Sequence, residues 1–394
     1  MDEYVSAEEA AALLGVAVDT VYVYVSRKGI RSIPTPNSSK RRYWRADVER
    51  ARLRGGRSPA IAGDLKQESA ITLHTAEELY YRGRSVRELT ESASFEEVAA
   101  LLWDVEERGA FTERLPASPP NISLFATAFA SESTVNQALA LFPLLEGANP
   151  RSYDLSQVGM ARTGADILRW LCALSLARPH PVVDPIHETF GKALSLSPDN
   201  TDLVRRLLIL SADNGLDSAT FAVRAVASTG VSPWRSILTG LAVKSGQRSR
   251  LNQYGGLRQF VAEIMSAKMP SEPVMRRVQE GEALPGFQPP EASRADARVR
   301  ILSDRLQATL SADKDFQRLE AAARAVNEIQ GLEPTFSYLS GFAWWKVGLR
   351  SDIAPFLLGR SAGWVAHAIE QYQGGERERV ELHYRGPLPL QTRK

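Results

Sequence analysis

The sequence predicts a mainly α-helical protein, because apolar residues recur with a helical period along most of the chain and strand-like patterns are few. Apolar stripes with a 3.6-residue period run through residues 161–177, 202–210, 218–229, 237–243, 297–310, 316–329 and 360–371. Strand patterns are confined to residues 69–73 and 379–383. We therefore expect many packed helices and little sheet.

The composition limits the kinds of protein that this chain can be. Its 394 residues are 44% hydrophobic and 24% charged, which suits folded domains with sizeable cores. The single Cys172 excludes an intrachain disulfide and a zinc site built from several cysteines. No apolar run is long enough to cross a membrane and the first residues are acidic, so we expect a cytoplasmic protein without a membrane partner. No metal site and no cofactor are expected.

The charge is unevenly distributed. Residues 1–60 hold 11 Lys and Arg against 7 Asp and Glu, whereas the formal net charge of the whole chain is only +2. A glycine-, arginine- and proline-containing stretch follows and predicts a linker over residues 55–65. We therefore expect a small basic domain over residues 1–54 and a larger domain over residues 66–394.

The basic segment has the pattern of a helix-turn-helix. Ser6 is placed to cap a helix that ends near Leu14, Gly15 supplies a turn, and Asp19 is placed to cap a second helix. A polar stretch over residues 34–40 predicts a hairpin tip, and the basic and aromatic residues after it suit a wing that contacts phosphates.

The run YVSAEEAAALLGVAVDTVYVYVSRKGI followed by KRRYWRADVER resembles the winged helix-turn-helix of excisionase-like and MerR-like DNA-binding modules. The resemblance implies DNA as a partner and places Asp19 close to bases or sugar. The residues that it assigns to DNA binding are Thr20, Tyr22, Tyr24, Arg27, Lys28, Arg41 and Arg42. The alternative is a small helical domain with a solvated charged face.

Three stretches of the larger region carry a second resemblance. The first, ESAITLHTAEELYYRGRSVRELTESASFEEVAALLW, begins at Glu68 and contains a capping-box pattern at Ser94 and Glu97. The second, LLILSADNGLDSATFAVRAVASTGVSPWRSILTGLAVKSGQRS, begins at Leu207, and the third comprises FSYLSG, GRSAGWVAHAIEQ and HYRGP after Phe336. Together they resemble the citrate synthase family. The resemblance implies a helical large domain, a small domain over roughly residues 250–340, and a dimer with active sites completed across the subunit boundary.

The family's catalytic side chains are missing from the matching positions. Its chemistry needs a carboxylate to deprotonate an acetyl-CoA methyl group and two histidines to stabilise an enol and polarise a ketone. The matching positions hold Ser249 and Pro289 in place of the histidines and Ser337 in place of the aspartate. Proline transfers no proton, and serine is no carboxylate base without an activating partner. We therefore expect no catalytic residues at these positions.

The family's carboxylate-binding arginines are retained. The matching positions hold Arg298, Arg360 and Arg379, and the oxaloacetate pocket motif is Ser-Ala-Asp-Asn, ending at Asn214. A planar guanidinium suits bidentate pairing with a carboxylate. These four residues are the candidate ligand-binding set, for a dicarboxylate, a tricarboxylate or a CoA thioester. The alternative for Arg360 is that it caps a helix or pairs with an acidic residue.

Two histidines have weaker assignments. His367 lies in the pattern of a packed helix and is expected to be a core residue. His74 lies in a hairpin far from the arginines in the sequence and has no identifiable partner there.

Three functional hypotheses remain. The leading one is a dimeric DNA-binding regulator whose citrate synthase fold is a pseudoenzyme that senses a carboxylate or an acyl-CoA. The alternative is an active citrate or 2-methylcitrate synthase, which condenses an acyl-CoA with oxaloacetate. The third is a non-catalytic subunit, so that the partner is either a second copy of the chain or an intact citrate synthase paralogue.

Overall fold

The computed structural model describes residues 4–28, 30–35, 38, 40–53, 68–75, 78–246, 252–349 and 354–375. The chain divides into two compact units, one ending at Glu68 and the other beginning at Ser69. The predicted linker, the predicted strand at residues 379–383, and the candidate residues Ser249 and Arg379 lie outside the described residues.

The N-terminal unit combines helices with a small antiparallel sheet. Its elements are β1 (Tyr4–Val5), α1 (Ala7–Leu14), α2 (Val18–Lys28), β2 (Ser32–Pro34), β3 (Arg41–Trp44) and α3 (Arg45–Leu53). The strands pair in the order β1-β3-β2, with Val5 opposite Tyr43 and Ile33 opposite Arg42. Val5, Val21 and Tyr43 are buried in its separate apolar core.

The first helix of this unit begins as the sequence predicts. Ser6 accepts a hydrogen bond from the Glu9 backbone N–H, and the Glu9 carboxylate accepts one from the Ser6 N–H, which completes a capping box. Gly15 ends the helix in the left-handed conformation, with φ at +67°. Asp19 lies inside the first turn of α2 instead of preceding it. An acidic side chain there still interacts favourably with the helix dipole.

The second unit begins with a short three-stranded sheet and is otherwise mainly helical. Its strands are β4 (Thr72–His74), β5 (Leu79–Tyr81), β6 (Arg84–Ser85), β7 (Phe287–Gln288) and β8 (Glu333–Pro334). Its helices up to residue 194 are α4 (Val86–Ser92), α5 (Phe95–Trp103), α6 (Glu107–Ala110), α7 (Ile122–Ala128), α8 (Thr134–Ala148), a 3-10 turn (Pro150–Tyr153), α9 (Gln157–Ser175) and α10 (Ile186–Leu194). The later helices are α11 (Pro198–Ser211), α12 (Ser218–Ala227), α13 (Pro233–Lys244), α14 (Asn252–Ser266), α15 (Glu272–Gln279), α16 (Pro290–Arg294), α17 (Ala297–Leu310), α18 (Lys314–Gln330), α19 (Phe336–Lys346) and α20 (Ala354–Gly374).

The prediction of a mainly helical fold is confirmed. Each predicted apolar stripe lies on a helix, and the stripe over residues 297–310 coincides with α17. The capping box of Ser94 and Glu97 starts α5. The predicted strand at residues 69–73 is displaced: β4 covers Thr72–His74 and pairs antiparallel with β5.

Helix α20 is at the centre of one group of helices in this unit. It packs against α5, α9, α11, α12 and α13. Trp364 on α20 is fully buried, and a Cβ placed on Gly240 of α13 would lie 2.8 Å from its ring. The missing side chain at Gly240 therefore allows the two helices to approach closely.

A second group is formed by α14, α15, α17, α18 and α19, which pack on one another. These helices cover much of residues 252–346, which overlaps the smaller domain predicted over roughly residues 250–340. Among the described residues, no helix has the length and apolar character that crossing a membrane requires.

A buried carboxyl group links α5 to α10. Glu96 accepts a hydrogen bond from the Ile186 N–H at 2.7 Å, at the first residue of α10. Its second oxygen, Oε2, has no hydrogen-bond partner among the described residues. Burial raises the pKa of the Glu96 carboxyl to about 7.

Glu96→Gln should change how stability depends on pH. The folded chain favours the protonated carboxyl more than the unfolded chain does, so wild-type stability falls as pH rises from the ordinary 4.5 to about 7. Relative to the variant, the wild-type free energy of unfolding should decrease by about 3 kcal/mol across this range. Urea unfolding of both proteins at pH 5 and pH 8 measures the difference. An equal pH dependence in the two proteins would show that Glu96 is ionised when folded.

Candidate functional site

The polar centre of the second unit is a buried ion pair between Asp213 and Arg360. Asp213 lies in the turn between α11 and α12, and its side chain is 0% exposed. Arg360 lies on α20 and is 3% exposed. Its Nη1 donates to Asp213 Oδ1 at 2.8 Å, and its Nη2 donates to the Gly215 carbonyl and to Thr220 Oγ1, each at 2.9 Å. Arg360 therefore contacts the turn at Asp213 and Gly215 and the first part of α12 at Thr220.

The backbone makes this pairing possible. The Gly363 N–H on α20 donates to the Ala212 carbonyl at 3.0 Å. A Cβ placed on Gly363 would lie only 2.3 Å from that oxygen, so no other residue fits without movement of the backbone. Helix α20 consequently lies directly against the turn that contains Asp213.

Other side chains complete the surroundings of Asp213. Thr72 Oγ1 on β4 donates to Asp213 Oδ2 at 2.5 Å, and His367 Nε2 lies 3.4 Å from Oδ1. Burial alone would raise the pKa of Asp213, but the charges of Arg360 and His367 outweigh it, so this pKa lies below its usual value. His367 is 2% exposed, as predicted for a core residue, but its contacts are polar.

Tyr81 connects the sheet to the same turn. Its hydroxyl donates to the Asp213 carbonyl at 2.9 Å and accepts from the Asp213 N–H at 3.1 Å. Burial raises the pKa of the Tyr81 hydroxyl, while the charges of Arg298 and Arg360 both act to lower it. Both guanidinium groups therefore act electrostatically on Tyr81 although they are on different helices.

Arg298 is held by its own helix start and by an aromatic ring. Asp296 caps α17, and its carboxylate accepts from Arg298 Nε at 2.9 Å and from Nη2 at 2.7 Å. The Arg298 guanidinium also stacks over the Phe336 ring, 4.5 Å from its centre. Burial opposes ionisation of Asp296, but the Arg298 charge outweighs it and the pKa of the carboxyl is lowered.

A two-stranded sheet joins the motifs that contain Pro289 and Ser337. Strand β7 pairs with β8, with Phe287 opposite Pro334. The Thr335 N–H donates to the Gly286 carbonyl at 2.9 Å. Pro289 is exposed just before α16, and Ser337 is half-buried in the first turn of α19, next to the residue on which Arg298 stacks.

The structure also brings His74 to this site. A Cβ placed on Gly215 would lie 3.7 Å from His74 Nε2, and Gly215 is the residue whose carbonyl Arg360 contacts. The His74 charge contributes to the lowered pKa of Asp296. Sequence reasoning missed this position because 141 residues separate His74 from Gly215 and no local pattern links them.

Three of the four candidate ligand residues, Asn214, Arg298 and Arg360, lie in the described part of the chain. Asn214 is exposed beside Gly215, whereas Arg298 and Arg360 are buried. Both arginines already pair with carboxylates of the protein, as the alternative interpretation of Arg360 expected. Their binding of a ligand stays a prediction, as does any role of Arg379.

The candidate DNA-binding residues lie on α2 and β3. Tyr22 is 56% exposed and Thr20 is half-buried. Arg41 is exposed and donates to Ser32, whereas Arg42 donates to the Tyr4 carbonyl at 2.8 Å. The side chains of Tyr24, Arg27 and Lys28 lie outside the described residues.

The fold and site define a mainly helical protein with two arginine–carboxylate pairs, Arg360 with Asp213 and Arg298 with Asp296. The family model for the citrate synthase C-terminal domain matches residues 62–381. The chain belongs to the citrate synthase family.

Similar proteins agree with this assignment. Citrate synthase 2 of Bacillus subtilis is 24% identical over 84% of this chain and 98% of its own length. The 2-methylcitrate synthase 2 of Corynebacterium glutamicum is 24% identical over 78% of this chain and 88% of its own length.

Solved structures show the same fold. The citrate synthase of Thermotoga maritima matches with a TM-score of 0.66 and 20% identity, over 83% of this chain and 96% of its own. The Thermoplasma acidophilum citrate synthase, solved as a ternary complex with carboxymethyl coenzyme A and oxaloacetate, has the same TM-score, 19% identity, and coverage of 84% and 96%.

The comparisons contradict our leading hypothesis of a pseudoenzyme that acts as a DNA-binding regulator. Relatives and structural neighbours are citrate and 2-methylcitrate synthases, and they favour the alternative of an active synthase. The hypothesis rested on three substituted positions, whereas the similarity extends along most of the chain.

Asp213→Asn should strongly destabilise the second unit. The substitution keeps the side-chain shape but removes the carboxylate that lies 2.8 Å from the buried Arg360, so that the remaining carboxylate is that of Asp217 at 3.7 Å. Breaking a buried ion pair in this way typically costs about 3–5 kcal/mol. Denaturant unfolding measures this loss. Asp184→Asn is the matched control because its ion pair with Lys192 is exposed, and it should cost less than about 1 kcal/mol. Equal effects of the two substitutions would contradict a structural role for the buried pair.

Proposed function

We propose that this chain is a synthase of the citrate or 2-methylcitrate type, which condenses an acyl-CoA with oxaloacetate. The observation that carries the proposal is the match to the citrate synthase family over residues 62–381, within which Arg298 and Arg360 are buried and held by carboxylates of the protein. Guanidinium groups held in fixed positions suit a ligand with two carboxylates. The Thermoplasma acidophilum neighbour, whose complex contains oxaloacetate and a coenzyme A derivative, supports the choice of substrates.

The proposed active site is degenerate. Condensation requires removal of a proton from the acyl group, polarisation of the ketone, and hydrolytic release of CoA. Pro289 and Ser337 provide neither an imidazole nor a carboxylate, so other side chains would have to support these steps. Loss of one general acid or base typically lowers a rate by about 10²–10⁴-fold. We therefore expect slow turnover in comparison with a synthase that has the full catalytic set.

The activity can be tested with the purified full-length chain. Acetyl-CoA and propionyl-CoA are each supplied with oxaloacetate, and CoA release is followed while mass spectrometry identifies citrate or 2-methylcitrate. We expect product formation that depends on oxaloacetate. Arg298→Ala should lower kcat/KM by at least about tenfold, because a charged hydrogen bond contributes about 1.5–3 kcal/mol.

The control for that variant is Arg294→Ala. Arg294 is a nearby arginine that is largely exposed and pairs with Glu333, so its removal should leave activity close to that of the wild type. If neither thioester gives product that depends on oxaloacetate, the proposed activity is wrong. A second copy of the chain as the partner stays a prediction.

We further propose that residues 4–53 form a winged helix-turn-helix and that duplex DNA is their partner. The arrangement of α1, Gly15 and α2, followed by the β2–β3 hairpin, supports the fold. The exposed Tyr22 on α2 and Arg41 on β3 support the partner. This proposal concerns binding by the N-terminal unit and leaves the proposed synthase activity unaffected.

DNA binding is measured with the full-length chain and fluorescent duplexes that carry its own promoter, at several salt concentrations. Arg41→Gln should weaken binding and reduce the slope of log K against log salt by about one, as loss of one phosphate contact does. Arg294→Ala again serves as the control. No change in anisotropy at low salt would exclude DNA as a partner.

A further inference from the structure

The end of the β4–β5 hairpin is fixed next to the site by buried contacts. Thr72 donates to Asp213, and Tyr81, which lies opposite Thr72, makes two hydrogen bonds to the Asp213 backbone. His74 is the last residue of β4, two positions after Thr72. Because successive side chains alternate between the faces of a strand, His74 and Thr72 lie on the same face. The imidazole is therefore carried by a strand that is anchored to the buried ion pair.

His74 lies close to the turn that Arg360 contacts. Its Nε2 would be 3.7 Å from a Cβ placed on Gly215, whose carbonyl accepts a hydrogen bond from Arg360. Asp296, whose carboxylate is paired with Arg298, is within electrostatic range of a protonated imidazole at this position. His74 is exposed, so a ligand from solvent can reach it.

The imidazole of His74 supplies a hydrogen-bond donor that the side chain at position 289 lacks. A carbonyl or carboxylate oxygen bound near two arginines is polarised further by a hydrogen-bond donor. Proline at position 289 has no such donor on its side chain. The imidazole of His74 has a ring N–H that can make this hydrogen bond in the neutral and in the charged form.

We propose that His74 is a substrate-binding residue, which donates a hydrogen bond to an oxygen of a 2-oxo dicarboxylate held near Arg298 and Arg360. This inference rests on the proposed function for the choice of ligand. No bond is formed or broken by His74 in this role. The ligand is oriented by one imidazole from β4 and by guanidinium groups from α17 and α20.

The test compares His74→Leu with His180→Leu in the full-length chain. His180 is also exposed, and its Nδ1 lies 2.9 Å from the Ser118 hydroxyl, outside the candidate site. Oxaloacetate binding is measured by calorimetry, and thermal unfolding checks that both variants fold. We expect His74→Leu, which removes the side-chain donor, to raise the Kd for oxaloacetate by at least about tenfold, the effect of losing a hydrogen bond to a charged ligand. His180→Leu should leave the Kd unchanged.

Chemical protection supplies a readout that a purely structural role would not alter. Diethyl pyrocarbonate modifies exposed imidazoles, and peptide mass spectrometry measures the extent at each histidine. Oxaloacetate should protect His74 by several-fold and leave the modification of His180 unchanged. Equal modification of His74 with and without oxaloacetate, at a concentration that saturates binding, would overturn the proposal.

The outcomes separate this inference from the proposed activity. If oxaloacetate binds and His74→Leu weakens binding while no product forms, the role of His74 is supported and the synthase proposal is wrong. If product forms and both variants bind oxaloacetate like the wild type, the synthase proposal is supported and the role of His74 is overturned. If the wild type neither binds oxaloacetate nor forms product, both proposals are wrong.

Discussion

The ion pair between Asp213 and Arg360 is the interaction on which the rest of the site depends. It joins α20 to the turn between α11 and α12, and hydrogen bonds from β4 and β5 converge on the same aspartate. Two charges removed from water are stable only when they are paired and their remaining hydrogen-bonding groups are satisfied. The buried ion pair therefore depends on two other contacts. Gly363 allows α20 to approach the turn, and the hairpin supplies hydrogen bonds to Asp213.

Much of the fold could be predicted from the sequence because its signals are local. The capping boxes at Ser6 and Ser94 mark helix starts, and the apolar period over residues 297–310 gives both ends of α17. The shift of β4 relative to its predicted range has a non-local cause, since pairing with β5 and the bond from Thr72 to Asp213 fix that strand.

The site was less accessible to sequence reasoning. The motifs identified Arg298 and Arg360 as candidate ligand residues, but they did not show that each pairs with an aspartate of the protein. His74 had no visible partner, because the turn near its imidazole contains Gly215, which is 141 positions away in the sequence. The residue type at a motif position can be read from the sequence. The groups that contact this residue depend on tertiary packing, which brings together distant parts of the chain.

The small sheet of β7 and β8 connects two distant segments of the second unit. Its pairing, together with the hydrogen bond from Thr335 to Gly286, ties the segment before α16 to the start of α19. The contact between Phe287 and Tyr338, with ring centres 4.5 Å apart, adds a second attachment. The two segments are therefore attached to each other at two places. A displacement of the start of α19 would move the start of α16 in the same direction.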